Sequence, residues 1–402
     1  MDQEPFSFNP FDPDVRANPF PLYARGRREF PVFAHEGLPL FSVFRYDDIQ
    51  AILKDPTAWS SIFPPPPGVE VRKDLPPSML MQDPPEHTRL RGLVNQAFTP
   101  RMIRRLEQRM EAIADELLAD ALDKRRVDLV QALTYPLPVI VIAEMIGVPL
   151  EDREQFKHWS DGLVENLGLG IMGPEPPDII ARELAILDEM RAYFSRLVDE
   201  RRRMPREDLL SGLVAAEIEG SRLSFDEMLQ MLTLLLVAGN ETTTTLIGNA
   251  AIELMRHPDQ LARLRAQPEL LASAIDEVLR FSSPVQVTVR RATRRMDVAG
   301  TTIEAEQNAL VWLGSANRDE SVFDRPNAFD IARDDNRHLA FGFGPHFCLG
   351  NNLARLEAQV AIGALVRHTK DFHRADEEPL PLHPSFIFRS FTRIPVELVP
   401  GP

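Results

Sequence analysis

The sequence predicts a mainly helical α+β protein: one large helical domain over residues 1–402 with small β-sheets and no fused reductase. Three observations predict it. Long stretches repeat apolar residues at helical spacing, above all Leu133 to Val148, Pro177 to Arg203 and Phe225 to Arg256. Short runs with β character lie between Val32 and Phe44, and apolar and polar residues alternate within Ser282 to Ala292. No linker or repeat divides the chain: its 35 prolines are scattered, and the one dense cluster, Pro64 to Pro67, reads as a short rigid loop.

Bulk charge and composition exclude several functions. A formal charge of −15 argues against nucleic acid, which requires a dominant basic surface. A single cysteine excludes a disulfide framework and fits a reducing cytoplasm. Met1 to Pro10 carries no basic-plus-apolar leader, and the longest apolar runs are interrupted by Glu144 and by Asn240 and Glu241. The expectation is a cytoplasmic monomer that does not enter a membrane.

Taken in order, Tyr46-Asp47-Asp48 opens a helix reaching about Lys54. Ser61 to Gln82 is proline-rich, carries Arg72 and Lys73, and is too long for an ordinary connector. Asp83 to Arg91 begins a helix with Pro85 in its first turn, and places His87 and Arg91 on one face at i, i+4. Arg101 to Asp123 is amphipathic, with Arg101, Arg104, Arg105 and Arg109 near its start. Glu151 to Leu167 and Pro177 to Arg203 are helices separated by glycines and prolines. Ser224-Phe-Asp-Glu227 is a capping box that opens the longest helix. Mid-helix, Ala238-Gly239-Asn240-Glu241 and four threonines from Thr242 are poor helix formers, so a carboxylate sits at a weak point of an otherwise buried element. Such local inconsistency clusters at functional sites. Pro268 to Phe281 is a further helix, with Glu277 and Arg280 on one face. Val285, Val287 and Val289 then alternate with polar residues as a strand.

The only cysteine lies in Phe341-Gly342-Phe343-Gly344-Pro345-His346-Phe347-Cys348-Leu349-Gly350, just before a half-buried helix from Asn351. A helix N-terminus favours a thiolate, and the glycines let backbone approach a flat partner. A lone cysteine is ordinarily a small buried hydrophobe. A zinc site would need several grouped ligands. The loop instead suits a thiolate ligand to a haem iron.

Phe341-Gly-x-Gly-x-His-x-Cys348-x-Gly350 resembles the haem-binding signature of the cytochrome P450 monooxygenases, here of the soluble bacterial kind, and the resemblance spans nearly the whole chain. It implies that family's fold, with haem b between the long helix and the Cys348 loop and its helix. Cys348 becomes the iron ligand. Glu241 and Thr242 match the family's acid–alcohol pair, which delivers protons to dioxygen. His87, Arg91, Arg290 and His346 are implied as propionate partners, with Ala238, Gly239, Phe341 and Gly342 against the cofactor. The implied substrate pocket comprises Ile62, Phe63, Met79, Leu80, Met81, Leu235, Val285, Val287, Phe386 and Ile387. Glu277, Arg280 and Arg325 match a structural triad. The segment between the two middle helices matches a lid, and Pro384 to Phe391 a terminal hairpin, in which Ser390 replaces the family's usual glycine.

The implied reaction inserts one oxygen atom from O2 into a hydrophobic small molecule, by C–H hydroxylation, epoxidation or dealkylation. Electrons from NAD(P)H would arrive indirectly, through a ferredoxin or flavodoxin with its reductase, docking on Arg89, Arg101, Arg104 and Arg105. A peroxide-driven enzyme would have no use for the acid–alcohol pair, and a haem sensor would carry an output domain. Arg72 and Lys73 allow a substrate carboxylate.

Overall fold

Strand pairing begins where short runs of β character predict it: Val32–Ala34 and Leu40–Val43 form an antiparallel hairpin, Val32 opposite Val43. The structure is a computed structural model that describes residues 6–64, 76–164 and 176–401. Arg72, Lys73 and most of the expected lid segment lie outside the described residues. Two compact units are formed, neither continuous in sequence: Met1–Ser61, Asn249–Cys348 and Glu378–Thr392 in one, Ile62–Gly248, Leu349–Glu377 and Arg393–Pro402 in the other.

In the first unit the hairpin joins a five-stranded sheet. Asn308–Val311 lies parallel to Leu40–Val43 and antiparallel to Thr288–Ala292, with Trp59–Ser60 at the far edge. The period of two sorts its side chains. Phe41, Val43, Ala309 and Val311 join Ile49, Trp59 and Ile303 in one core, while Leu40, Leu310 and Trp312 join Phe8, Tyr23 and Phe44 in another. Ser42 is tolerated within this core because it accepts from the Trp312 indole at 2.9 Å and shares a 2.8 Å hydrogen bond with His35.

Leu271–Phe281, preceded by a 3-10 turn at Pro268–Leu270, carries the predicted Glu277–Arg280 pair. Both side chains are fully buried, and Arg280 grips both carboxylate oxygens at 2.8 Å. The third member is not Arg325 but Arg333, whose Nε reaches Glu277 at 3.0 Å. Arg325 occupies a left-handed turn (φ 44°), and its side chain is 67% exposed beside Asp324 and Asp330. Its contribution is its carbonyl, which accepts from Arg333. The terminal segment is looser than a regular hairpin. Isolated bridges join Leu382 to Phe391 and Val285 to Phe388. Ser390 is not among the residues with positive φ, so serine there meets no left-handed strain.

The second unit is a helical bundle with a three-stranded sheet of Thr369–Arg374, Pro395–Pro400 and Arg126–Asp128. The apolar segment predicted from Leu133 begins as a π-turn, Val130–Thr134, and becomes α-helical over Pro136–Ile146, with proline at its first turn. Gly147 ends it at φ 92°, where a Cβ would fall 2.3 Å from Asp208. Buried Arg201 ties that corner, donating to Gly147 O at 3.0 Å and Asp208 at 2.6 Å. Pro177–Arg203 is as predicted; the helix before it is Arg153–Val164.

The capping box forms reciprocally, Glu227 N to Ser224 Oγ at 3.2 Å and Ser224 N to Glu227 at 2.7 Å. The helix then runs unbroken over Phe225–Arg256. Its threonines do not interrupt it; Thr242 and Thr245 donate to the carbonyls four residues back, at 2.6 and 2.7 Å. Pro258 starts a further helix, Pro258–Ala266, absent from the sequence reading.

Glu357 is another feature the letters did not disclose. It is fully buried in the Asn351–His368 helix, neither carboxyl oxygen has a hydrogen-bond partner among the described residues, and burial pushes its pKa well above the ordinary range. A native state that holds this proton loses stability as pH rises above the unfolded glutamate value, about 4.3, toward the raised native one. Glu357→Gln, which cannot ionise, should therefore melt progressively higher than the parent as pH is raised from about 5 to 8. Parallel melting curves across that range would refute a neutral Glu357.

Candidate functional site

The Cys348 loop closes on itself through Cys348 N to Phe341 O at 2.9 Å and Gly342 N to Leu339 O at 2.8 Å. Gly342 and Gly344 have φ near +71° and +72°, and a Cβ on Gly344 would lie 2.4 Å from Leu53 O. Only glycine fits there. A 3-10 turn, Gly344–His346, brings His346 Nε2 to Ser61 Oγ at 3.1 Å. No residue of this apolar, aromatic loop is fully buried; Cys348 is half-buried and Phe347 exposed. On the neighbouring strand Arg290 is buried, with Nη1 on Val289 O at 2.8 Å, whereas Arg291 pairs with Glu306.

In the second unit, Glu86–Ala97 carries His87, buried, and Arg91, half-buried, one turn apart. Arg89 of the same helix is committed to Glu86, Glu227 and Ser221, which raises its pKa and removes it from the set of free docking charges. Arg101 and Arg104 are exposed at the start of Pro100–Lys124, and exposed Arg105 meets Glu207 at 3.2 Å.

The long helix is mostly buried, but Leu234, Ala238 and Thr242, spaced by four, form an open stripe along it. Thr242 commits its own proton to Ala238 O at 2.6 Å, leaving hydroxyl lone pairs to accept. Glu241 is 8% exposed, with Thr245 Oγ1 3.4 Å from its carboxyl oxygen. Gly239 packs on the Pro136–Ile146 helix: a Cβ there would meet Ile142 at 2.8 Å. Leu235 is buried, so Leu234 rather than Leu235 occupies the open face. A heptad count finds that stripe only if the buried faces are known.

The expected pocket residues divide. Met79–Met81 is a 3-10 turn with Met79 buried and Leu80 and Met81 about half exposed; Ile62 is exposed and Phe63 half-buried. The backbones carrying Val285, Val287, Phe386 and Ile387 pair, through Gln286 N to Ile387 O at 2.7 Å and the Val285–Phe388 bridge, but Val285 packs on a different core from the other three. Core packing occupies Val287 and Phe386, which are buried with Phe8, Tyr23 and Trp312, while Val285 and Ile387 are half-buried.

Among the described residues no helix is long and apolar enough to cross a membrane. The Cytochrome P450 family matches residues 30–267 and 263–390. The chain is 41% identical to the cytochrome P450 monooxygenase PikC of Streptomyces venezuelae over 395 residues, 95% of this chain and 92% of that one. Cytochrome P450 CYP109Q5 from Chondromyces apiculatus is similar in structure, with a TM-score of 0.90, 40% identity and coverage of 98% of each chain. CYP109E1 from Bacillus megaterium, solved in complex with corticosterone, matches at a TM-score of 0.87 and 36% identity, covering 96% of this chain and 99% of that one.

Proposed function

The chain belongs to the cytochrome P450 family of monooxygenases, and on that premise we propose that it inserts one oxygen atom from O2 into a hydrophobic molecule of steroid size, chiefly by C–H hydroxylation. The observation that carries this reading is the acid–alcohol step, Glu241–Thr242, with Thr242 on the open stripe of an otherwise buried helix.

The residues fit haem b. The donor set offers a single soft thiol in a loop that exposes glycine and aromatic surface, with open space where a Cβ on Gly350 would project. Cys348 would ligate the iron. His87, Arg91, Arg290 and His346 would neutralise the propionates, since buried carboxylates need charge-assisted partners. Ala238, Gly239, Phe341 and Gly342 would lie against the ring. Bound there, haem supplies dioxygen activation, with thiolate donation favouring O–O cleavage.

The protein's own part is orientation and proton control. Thr242, its proton donated to Ala238 O, presents an acceptor that holds a water in place. Glu241 supplies protons to that water. Thr242→Val should lower product formed per electron consumed by about tenfold or more, with the excess appearing as peroxide, while Thr242→Ser should retain most coupling. Unchanged coupling in the valine variant would remove the alcohol from the mechanism.

Electrons would come from a separate ferredoxin or flavodoxin with its NAD(P)H-dependent reductase, so that the chain acts as one haem domain; the exposed Arg101, Arg104 and Arg105 offer a complement to an acidic carrier. The steroid assignment draws on the likeness to CYP109E1, solved with corticosterone. The test is a spectral titration of the ferric protein with corticosterone, testosterone, macrolides, terpenoids and fatty acids. A low-spin to high-spin shift with the steroids is expected. A shift confined to fatty acids would overturn the substrate class, and absence of a thiolate-haem spectrum would overturn the cofactor.

A further inference from the structure

Asn240, which immediately precedes the acid, is 2% exposed and has every amide group engaged. Its Nδ2 donates to Ser160 Oγ at 2.6 Å, while Thr244 Oγ1 donates to its Oδ1 at 3.3 Å. Ser160 is fully buried on the Arg153–Val164 helix. Tyr135 stands just before Pro136–Ile146 and donates to Asp161, the neighbour of Ser160. The Lys157 ammonium lies 5.4 Å from the Tyr135 ring centre and 3.7 Å from Asp161. Lys157, Ser160 and Asp161 share one face of their helix at i, i+3 and i+4. One turn of that helix therefore holds the long helix through a single amide, at the step that sets the direction of Glu241. The i−4 bonds of the threonines fix only their own side chains, so they leave rotation of the helix about its axis unconstrained. An interior amide in a helix that could have been apolar throughout needs a reason, because a buried polar group stabilises little once its desolvation is counted.

We infer that Asn240 is a positioning residue: through Ser160 it fixes the orientation of the long helix at Glu241, so that losing its amide misdirects the acid without removing it. The inference rests on the proposed role of Glu241.

The test uses haem-loaded protein reduced with dithionite and mixed with oxygenated buffer in H2O and in D2O, so that neither a substrate nor a redox partner is required. Glu241→Gln should change the rate of return to the ferric state, or its solvent isotope effect, by about threefold or more. Asn240→Leu and Ser160→Ala should move the same quantity in the same sense, and adding Asn240→Leu to Glu241→Gln should change nothing further. A second readout is independent of oxygen chemistry: amide hydrogen exchange across residues 238–245 should accelerate in Asn240→Leu and Ser160→Ala. Should Asn240→Leu fail to fold, Ser160→Ala, which removes one hydroxyl, carries the test alone. A responsive Glu241→Gln beside silent Asn240 and Ser160 variants would overturn the positioning role and leave the acid in place. A silent Glu241→Gln would overturn the role of the acid, and the inference with it.

Discussion

Cys348→Ser should abolish the thiolate-type haem spectrum and lower oxygenation by at least ~10^3-fold, about 4 kcal/mol in apparent barrier, with the fold intact. Serine is close to cysteine in size, and the bond from residue 348 N to Phe341 O needs only the backbone. The positive-φ glycines that shape the loop are untouched. What changes is the donor: a hydroxyl stays protonated near neutral pH and is a hard ligand, where the family's chemistry calls for a soft anion. Absorption spectra and thermal melting on the same sample would separate the two effects. A serine variant with parental turnover would refute ligation by Cys348. A variant that failed to fold would show that the thiol packs as a core residue, the bland reading of a lone cysteine.

Glu277→Ala should be the most damaging substitution outside the loop, costing about 3–5 kcal/mol. Its carboxylate is fully buried between Arg280 and Arg333 and also accepts from Asp330 N at 3.0 Å. Removal leaves two guanidinium groups in the interior with no anion. Arg280 keeps its bonds to the carbonyls of Asn317, Pro326 and Ala328, but these neutral acceptors do not cancel its charge. Arg333→Ala should cost less, because Arg280 still pairs with the carboxylate. Arg325→Ala should fall within about 0.5 kcal/mol of the parent, as expected for an exposed ion pair. Denaturant titration of the three variants checks the order. An Arg325 effect as large as that of Arg333 would contradict the arrangement seen here.

The choice between those arginines shows where sequence reading stops. Glu277 and Arg280 share a helix, so their proximity follows from the 3.6-residue period. The third arm comes from an irregular segment, where Arg325 and Arg333 are equally plausible as letters, and only the backbone turn at Arg325 decides. The long helix tells the same story. Its existence, cap and acid–alcohol step were legible, but its open stripe at Leu234, Ala238 and Thr242 depends on which neighbours cover the other faces. As letters Gly239 and Asn240 are only poor helix formers, whereas in the fold one gives room to Ile142 and the other holds Ser160. The separate start of Pro258–Ala266 was hidden because proline ends one helix and begins another with the same ring. Glu357 was missed for a related reason: a glutamate among apolar residues at helical spacing looks like the solvent edge of the helix.

The parallel pairing of Asn308–Val311 with Leu40–Val43 has a consequence for how the protein comes off the ribosome. The hairpin that opens the sheet is made early, yet its inner edge cannot be satisfied until more than two hundred residues later in synthesis. Until then Leu40–Val43 presents unpaired backbone and apolar side chains to whatever is near. Contacts so distant in sequence make for slow closure, since a long loop must be ordered before any of them form. The nascent first unit is thus the stage at which this chain is most exposed to aggregation and most dependent on chaperones. Lower temperature or added chaperones during production should raise the soluble yield more than any change to the finished surface.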